Sequence, residues 1–265
     1  MCYMKIWVTF SICFLVNTNC LFAQSPYTFK KKKDWSLTIG SATLFTGGLL
    51  VNANITPLTP SEIDNLSASQ VNAFDRSATN NWSPNASKIS DYLQGGATIL
   101  PLSLLAFKPI RKDSPKMGLL LAQSYLITKG LTQITKGTVQ RIRPFVYNDV
   151  VDLEEKIRKT AKRSFFSGHT SGAAVFSFFT AKVFSDYYPK SKWKPLVWTG
   201  AALIPALTGY HRYLAGKHYT TDVIVGYSVG ALVGILIPAI HKSIDNKHSL
   251  NWQVRPIGLV VYYSF

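Results

Sequence analysis

The sequence predicts an all-α fold, a bundle of about six core helices embedded in a membrane. Three observations point there. Six apolar stretches, at about residues 35–51, 96–107, 117–135, 171–184, 195–214 and 223–240, have helical rather than strand lengths and are separated by polar, charged segments. Of the 265 residues, 47% are apolar and the mean hydropathy is slightly positive, more apolar than an ordinary soluble domain. Gly226, Gly230 and Gly234 recur every fourth residue, a spacing that lines one helix face with small residues and lets a second helix approach closely. Several stretches are shorter than the roughly 20 residues of a full bilayer crossing, so hydropathy alone leaves the number of spans open.

In chain order, residues 1–23 carry Lys5, an apolar run from Ile6 to Val16 and the small residue Ala23 before Gln24. This is the pattern of a secretory signal peptide, with an uncleaved N-terminal anchor as the alternative. The three cysteines, Cys2, Cys13 and Cys20, all lie there. Cleavage after Ala23 leaves none for a disulfide or a metal site. Residues 24–95 read as a basic run (Lys30 to Lys33), an N-terminal helix and a long polar loop over 52–91 with one short helix at most. Within that loop Asp75 and Arg76 read as a local salt bridge. Residues 96–240 form the helical core and 241–265 a tail, in which His241 and His248 read as solvated and Trp252 onward reads as a strand.

The formal charge of +16 favours anionic partners: nucleic acid, anionic lipid or a phosphorylated substrate. Nucleic acid is disfavoured, because the basic residues are spread between apolar stretches and no nucleic-acid-binding motif is present. The oligomeric state is not legible.

Three clusters carry chemistry. In the first, Lys136 and Arg143 stand seven residues apart before Pro144, a spacing that puts both cations on one face at a helix end, where they can grip a dianion. In the second, Ser167, Gly168 and His169 precede an apolar helix; a capping serine and free N–H groups at such an end bind phosphate oxygens. In the third, Arg212 is followed by His218 and, one helical turn on, Asp222. A carboxylate on one imidazole nitrogen fixes the tautomer and leaves the other free to attack. Each cluster alone has a bland reading as a solvated stripe, an ordinary cap or a surface pair.

Together, Lys-x6-Arg-Pro, Ser-Gly-His and Arg-x5-His-x3-Asp, in that order with helices between, resemble the type 2 phosphatidic acid phosphatase (PAP2) superfamily, which also contains bacterial acid phosphatases and vanadium haloperoxidases. The resemblance covers about residues 96–240 and implies the same helical fold. It implies His218 as the nucleophile that takes the phosphoryl group and Asp222 as its orienting partner. It implies His169 as the acid that protonates the leaving oxygen and then the base that activates water. Lys136, Arg143, Ser167, Gly168 and Arg212 are the implied phosphate cradle, with no metal and no cofactor. Two positions depart from the family pattern: Phe166 stands where proline is usual and His211 where serine is usual.

The expected substrate is a phosphorylated lipid at a membrane, with a soluble periplasmic acid phosphatase as the alternative. The basic segments at Lys30 to Lys33, Lys108 to Lys116, Lys190 to Lys194 and His241 to His248 all fall on the cytoplasmic side if six helices cross, which turns the site to the periplasm. A cleaved signal peptide followed by six strict crossings gives the opposite orientation.

Overall fold

The computed structural model describes residues 25–243, 249–255 and 258–264. The expectations for the signal segment and for His248 lie outside them. The elements are α1 (Lys31–Ala53), α2 (Pro60–Asp64), α3 (Ala73–Arg76), α4 (Pro84–Ser103), α5 (Lys108–Lys112), α6 (Ser114–Val139), α7 (Leu153–Lys156), α8 (Gly168–Tyr187), α9 (Lys194–Leu214) and α10 (Thr220–His241), followed by β1 (Ser249–Arg255) and β2 (Gly258–Ser264). Six of them, α1, α4, α6, α8, α9 and α10, have 20 residues or more and build the bundle. The strand expected in the tail is half of an antiparallel hairpin, in register from Ser249 opposite Ser264 to Arg255 opposite Gly258.

The apolar helix α8 is the axis. It packs against α4, α9, α10 and α6, while α1 covers the outer face of α6. The glycine stripe of α10 lies on α8. A Cβ at Gly226 would sit 2.6 Å from the Ser167 carbonyl oxygen, and one at Gly230 would sit 2.3 Å from that of Ser171. Only hydrogen at those positions lets the two backbones come this close.

The perimeter is apolar. Trp35, Ile39 and Leu50 on α1, Ile99 and Leu102 on α4, Leu203 on α9 and Leu232 on α10 are exposed. A soluble monomer rarely leaves so many large apolar side chains in water. Helices α1 and α10 are long and apolar enough to cross a bilayer. This is the surface of a membrane protein.

Two local readings change. The stretch over 52–91 is not one loop: it holds α2, α3, two 3-10 turns and the first two turns of α4. That helix begins early because Ser83 caps it, accepting the Ala86 N–H at 3.2 Å, and Pro84 occupies its first position. His241 is buried rather than solvated. Its Nδ1–H donates to the Ile237 carbonyl at 2.8 Å and its Nε2 lies 2.7 Å from Asp34 Oδ1. The cause is the segment before α1, whose Thr28 N–H donates to the His241 carbonyl and lays the chain across the end of α10.

Candidate active site

The three clusters meet at one end of the bundle, where α6 and α9 finish and α8 and α10 begin. The Asp222 carbonyl accepts the Ser167 N–H at 2.9 Å, which pins the second cluster to the third. The Arg163 carbonyl accepts Lys136 Nζ at 2.5 Å and Arg143 Nη2 at 3.4 Å, which pins the first to the loop before Ser167.

Arg143 reaches this point by a route other than the one its spacing predicts. Helix α6 stops at Val139, and Gln140 closes it in the left-handed region at φ 45°. The chain then reverses, and the Arg143 N–H donates to the Ala161 carbonyl at 2.8 Å. The two cations are brought together by a turn and not by a shared helix face.

Ser167 caps α8 as expected, accepting the Thr170 N–H at 3.3 Å and pairing with the Thr170 hydroxyl at 2.8 Å. Gly168 follows at the first helical position; a Cβ there would press on Thr132 at 3.3 Å. Its N–H and those beside it are among the donors that a helix start leaves without intrahelical partners.

His218 is 1% exposed and sits two residues before α10, not within it. Its Nδ1 lies 3.5 Å from Asp222 Oδ2 and makes no hydrogen bond among the described residues. The charges of Lys136, Arg143, Arg212 and His169 all act on the ring. Burial first, and then these cations, hold its pKa well below the ordinary imidazole value. This environment favours the neutral ring, with a lone pair available.

Asp222 is held from several sides. Its Oδ2 accepts the Ser164 hydroxyl at 2.5 Å and the Tyr219 N–H at 2.9 Å, and its Oδ1 accepts Arg141 at 2.6 Å. Arg141 also donates to Asp75 Oδ2 at 2.8 Å, and Thr221 gives Asp75 both its N–H (3.0 Å) and its hydroxyl (2.6 Å). Asp75 thus pairs with Arg141 and not with Arg76, whose guanidinium donates to the Val71 and Ser69 carbonyls.

Lys136 and Arg212 of the cradle are buried and Arg143 is partly buried. Arg212 is 4% exposed, with weak contacts to Ser87 and Ser90 at 3.4 and 3.5 Å, and its Nε and that of Arg143 have no hydrogen-bond partner among the described residues. Burial, followed by the charges of Arg212 and Arg163, lowers the Arg143 pKa to about 9. Several cations crowded into one pocket repel each other, and an anion bound among them relieves the repulsion. Motif spacing did not find Arg141, Ser164, Asp75 or Asp91. Arg141 and Ser164 lie within or beside the motifs. Asp91, on α4, accepts a hydrogen bond from His169 Nε2 at 2.8 Å and lies 3.7 Å from Arg212. The departure His211 packs edge-on against Tyr210.

The family model described as PAP2 superfamily matches residues 117–245. Lipid A 4'-phosphatase of Porphyromonas gingivalis is 27% identical over 142 residues, 51% of this chain and 57% of that protein. Phosphatidylglycerophosphatase B of Bacillus subtilis is 31% identical over 135 residues (49% and 59%), and undecaprenyl-diphosphatase of Sulfolobus acidocaldarius is 29% identical over 136 (50% and 57%). The chain therefore spans a little over half the length of these relatives. A crystal structure of a transmembrane PAP2-type phosphatidylglycerolphosphate phosphatase from Bacillus subtilis aligns with a TM-score of 0.46 and 24% identity, covering 76% of this chain and 94% of that one. The three motifs all lie within residues 117–245, the segment that is similar to the PAP2 superfamily.

Proposed function

We propose that the protein is a phosphatase that hydrolyses a lipid phosphate monoester or pyrophosphate through a phosphohistidine on His218. The observation that carries this reading is a buried imidazole, His218, beside Asp222 and among the charges of Lys136, Arg143 and Arg212, the two guanidinium groups each having an Nε without a partner among the described residues.

In this reading the Lys136, Arg143 and Arg212 side chains and the N–H groups at the start of α8 hold the phosphoryl oxygens. Asp222 lies beside His218 Nδ1, which leaves Nε2 as the attacking nitrogen. Its lone pair forms the P–N bond. The P–O bond to the lipid breaks, and its electron pair goes to the leaving oxygen, which takes a proton from His169. Water then attacks phosphorus and gives its proton to His169; the P–N bond breaks and its pair returns to the imidazole. Positive charge already in place stabilises the transferring phosphoryl group at no cost of reorganisation.

A lipid substrate is favoured over a soluble one by the apolar perimeter next to the site. Candidates are phosphatidic acid, phosphatidylglycerol phosphate, undecaprenyl pyrophosphate and the phosphates of lipid A. The test is phosphate release from that panel in detergent with a chelator present. His218→Ala should lower turnover on the order of 1000-fold or more with helical circular dichroism unchanged. Full activity in that folded variant would remove the nucleophile and the reading with it. Good cleavage of soluble phosphoesters with every lipid ignored would transfer the site to the broad-specificity alternative.

A further inference from the structure

His169 has the role of acid and then base in the reading above, and a ring that transfers protons from one nitrogen needs the other nitrogen held. Asp91 holds it. The carboxylate sits on α4, a helix that carries none of the three motifs, and its Oδ1 lies 2.8 Å from His169 Nε2. Asp91 is half exposed, so it is not a core ion pair. Its placement follows from the Ser83 cap and Pro84, which start α4 early enough to put residue 91 on a rigid helix beside the start of α8. Helices α4 and α8 pack along their lengths, and Gln94, three residues on, approaches Gly172. The same carboxylate oxygen is 3.7 Å from Arg212, so one side chain touches both the proton-transfer group and the cradle.

We propose that Asp91 is a positioning residue for His169: it accepts the Nε2–H, fixes the ring's orientation and tautomer, and makes Nδ1 the nitrogen that exchanges protons with the leaving oxygen and then with water. The proposal rests on the phosphatase reading. Proton balance is unchanged by it. The cycle starts from the doubly protonated ring: the Nδ1 proton goes to the leaving oxygen, the water proton replaces it, and the Nε2 proton stays on the ring throughout.

The consequence is a dependence on leaving group. An alkoxide leaving group needs the proton; p-nitrophenolate leaves well without it. Full-length wild type, Asp91→Ala and Asp91→Asn are compared on dioctanoyl phosphatidic acid and on p-nitrophenyl phosphate. Asp91→Ala should lower kcat for the phosphatidic acid on the order of 10- to 100-fold, short of the roughly 100- to 10,000-fold a whole general acid contributes. KM should stay within about 3-fold, and p-nitrophenyl phosphate turnover should fall much less. Asp91→Asn, which keeps an oxygen that accepts the Nε2–H, should recover part of the loss. Equal losses on both substrates, or none on phosphatidic acid, would overturn the positioning role. Failure of the phosphatase reading is separable, because it shows as His218→Ala retaining turnover of both substrates.

Discussion

Arg141 shows how much of this site rests on a residue without an expected role. It bridges two carboxylates that are fully buried, Asp222 at 2.6 Å and Asp75 at 2.8 Å, and its guanidinium stacks 3.9 Å from the centre of the Tyr219 ring. The attraction runs both ways: the paired carboxylates raise the Arg141 pKa, and the Asp75 pKa is lowered by hydrogen bonds from Arg141 and Thr221 against the opposing effect of its burial. Removing one member of such a group leaves the others buried without compensation, which costs about 3–5 kcal/mol. Arg141→Ala should therefore lower the melting temperature in detergent clearly, and should do so even with inorganic phosphate present. A melting temperature equal to wild type would show that Asp222 and Asp75 find other partners. The contrast with the cradle is physical. Arg141 spends three of its N–H groups on Asp222, Thr221 and Asp75, while Arg143 Nε and Arg212 Nε have no hydrogen-bond partner among the described residues.

At the scale of elements, the contact between α8 and α10 sets the position of both histidines, since His169 begins one helix and His218 immediately precedes the other. The contact depends on missing side chains. At Gly230 a Cβ would meet the Ser171 carbonyl oxygen at 2.3 Å and the Ala174 Cβ at 2.8 Å, and neither atom belongs to a flexible tip. Gly230→Ala should destabilise by about 1–3 kcal/mol through overpacking and should also depress turnover, because it pushes apart the helices that carry the site. Gly47→Ala on α1 is the control: nothing lies within 4 Å of its Cβ, and better helix propensity should leave stability equal or slightly higher. Thermal melts of the two variants side by side check the pair; equal destabilisation would remove the close-packing account. Sequence patterning read these helices well, because apolar period and glycine spacing are local properties. It missed the start of α4 because that turn is polar and is specified by a cap and a proline. It misplaced Arg143 because a left-handed Gln140 ends α6 four residues before the proline.

Across the whole molecule, the basic segments around Lys31, Lys112 and Lys192 gather at one end, while Arg158, Lys159, Lys162 and Arg163 lie at the site end. Lys33 reaches the Ile240 carbonyl at 2.5 Å, Lys242 pairs with Asp186 at 2.7 Å, and Tyr187 donates to Asp113 at 2.6 Å. These contacts gather the starts of α1 and α6 and the ends of α8 and α10 at the pole opposite the phosphate cradle. The first three basic segments therefore share one side. With six alternating long helices, the positive-inside rule places that side in the cytoplasm and the site in the periplasm; we advance this orientation as a proposal. In a variant without the three native cysteines, Val150→Cys, at a well exposed position beyond the site, should react with a membrane-impermeant thiol reagent on intact cells, and Lys192→Cys should not. The reverse labelling would invert the orientation and favour the topology that a cleaved signal peptide gives.

Helical class and the order of the three motifs are legible from the chain alone, because they follow from residue type and short-range spacing; the roles expected of His169, His218, Lys136, Arg143 and Arg212 come from the resemblance those motifs carry together. The partnerships are not. That Asp75 binds Arg141 across 66 positions, that Asp91 meets His169 across 78, and that His241 is buried against Asp34 all depend on packing between distant helices. Local pattern carries no information about which far segment arrives beside a side chain. Only the packed bundle decides that, and with it which cations are already paired and which remain for a substrate.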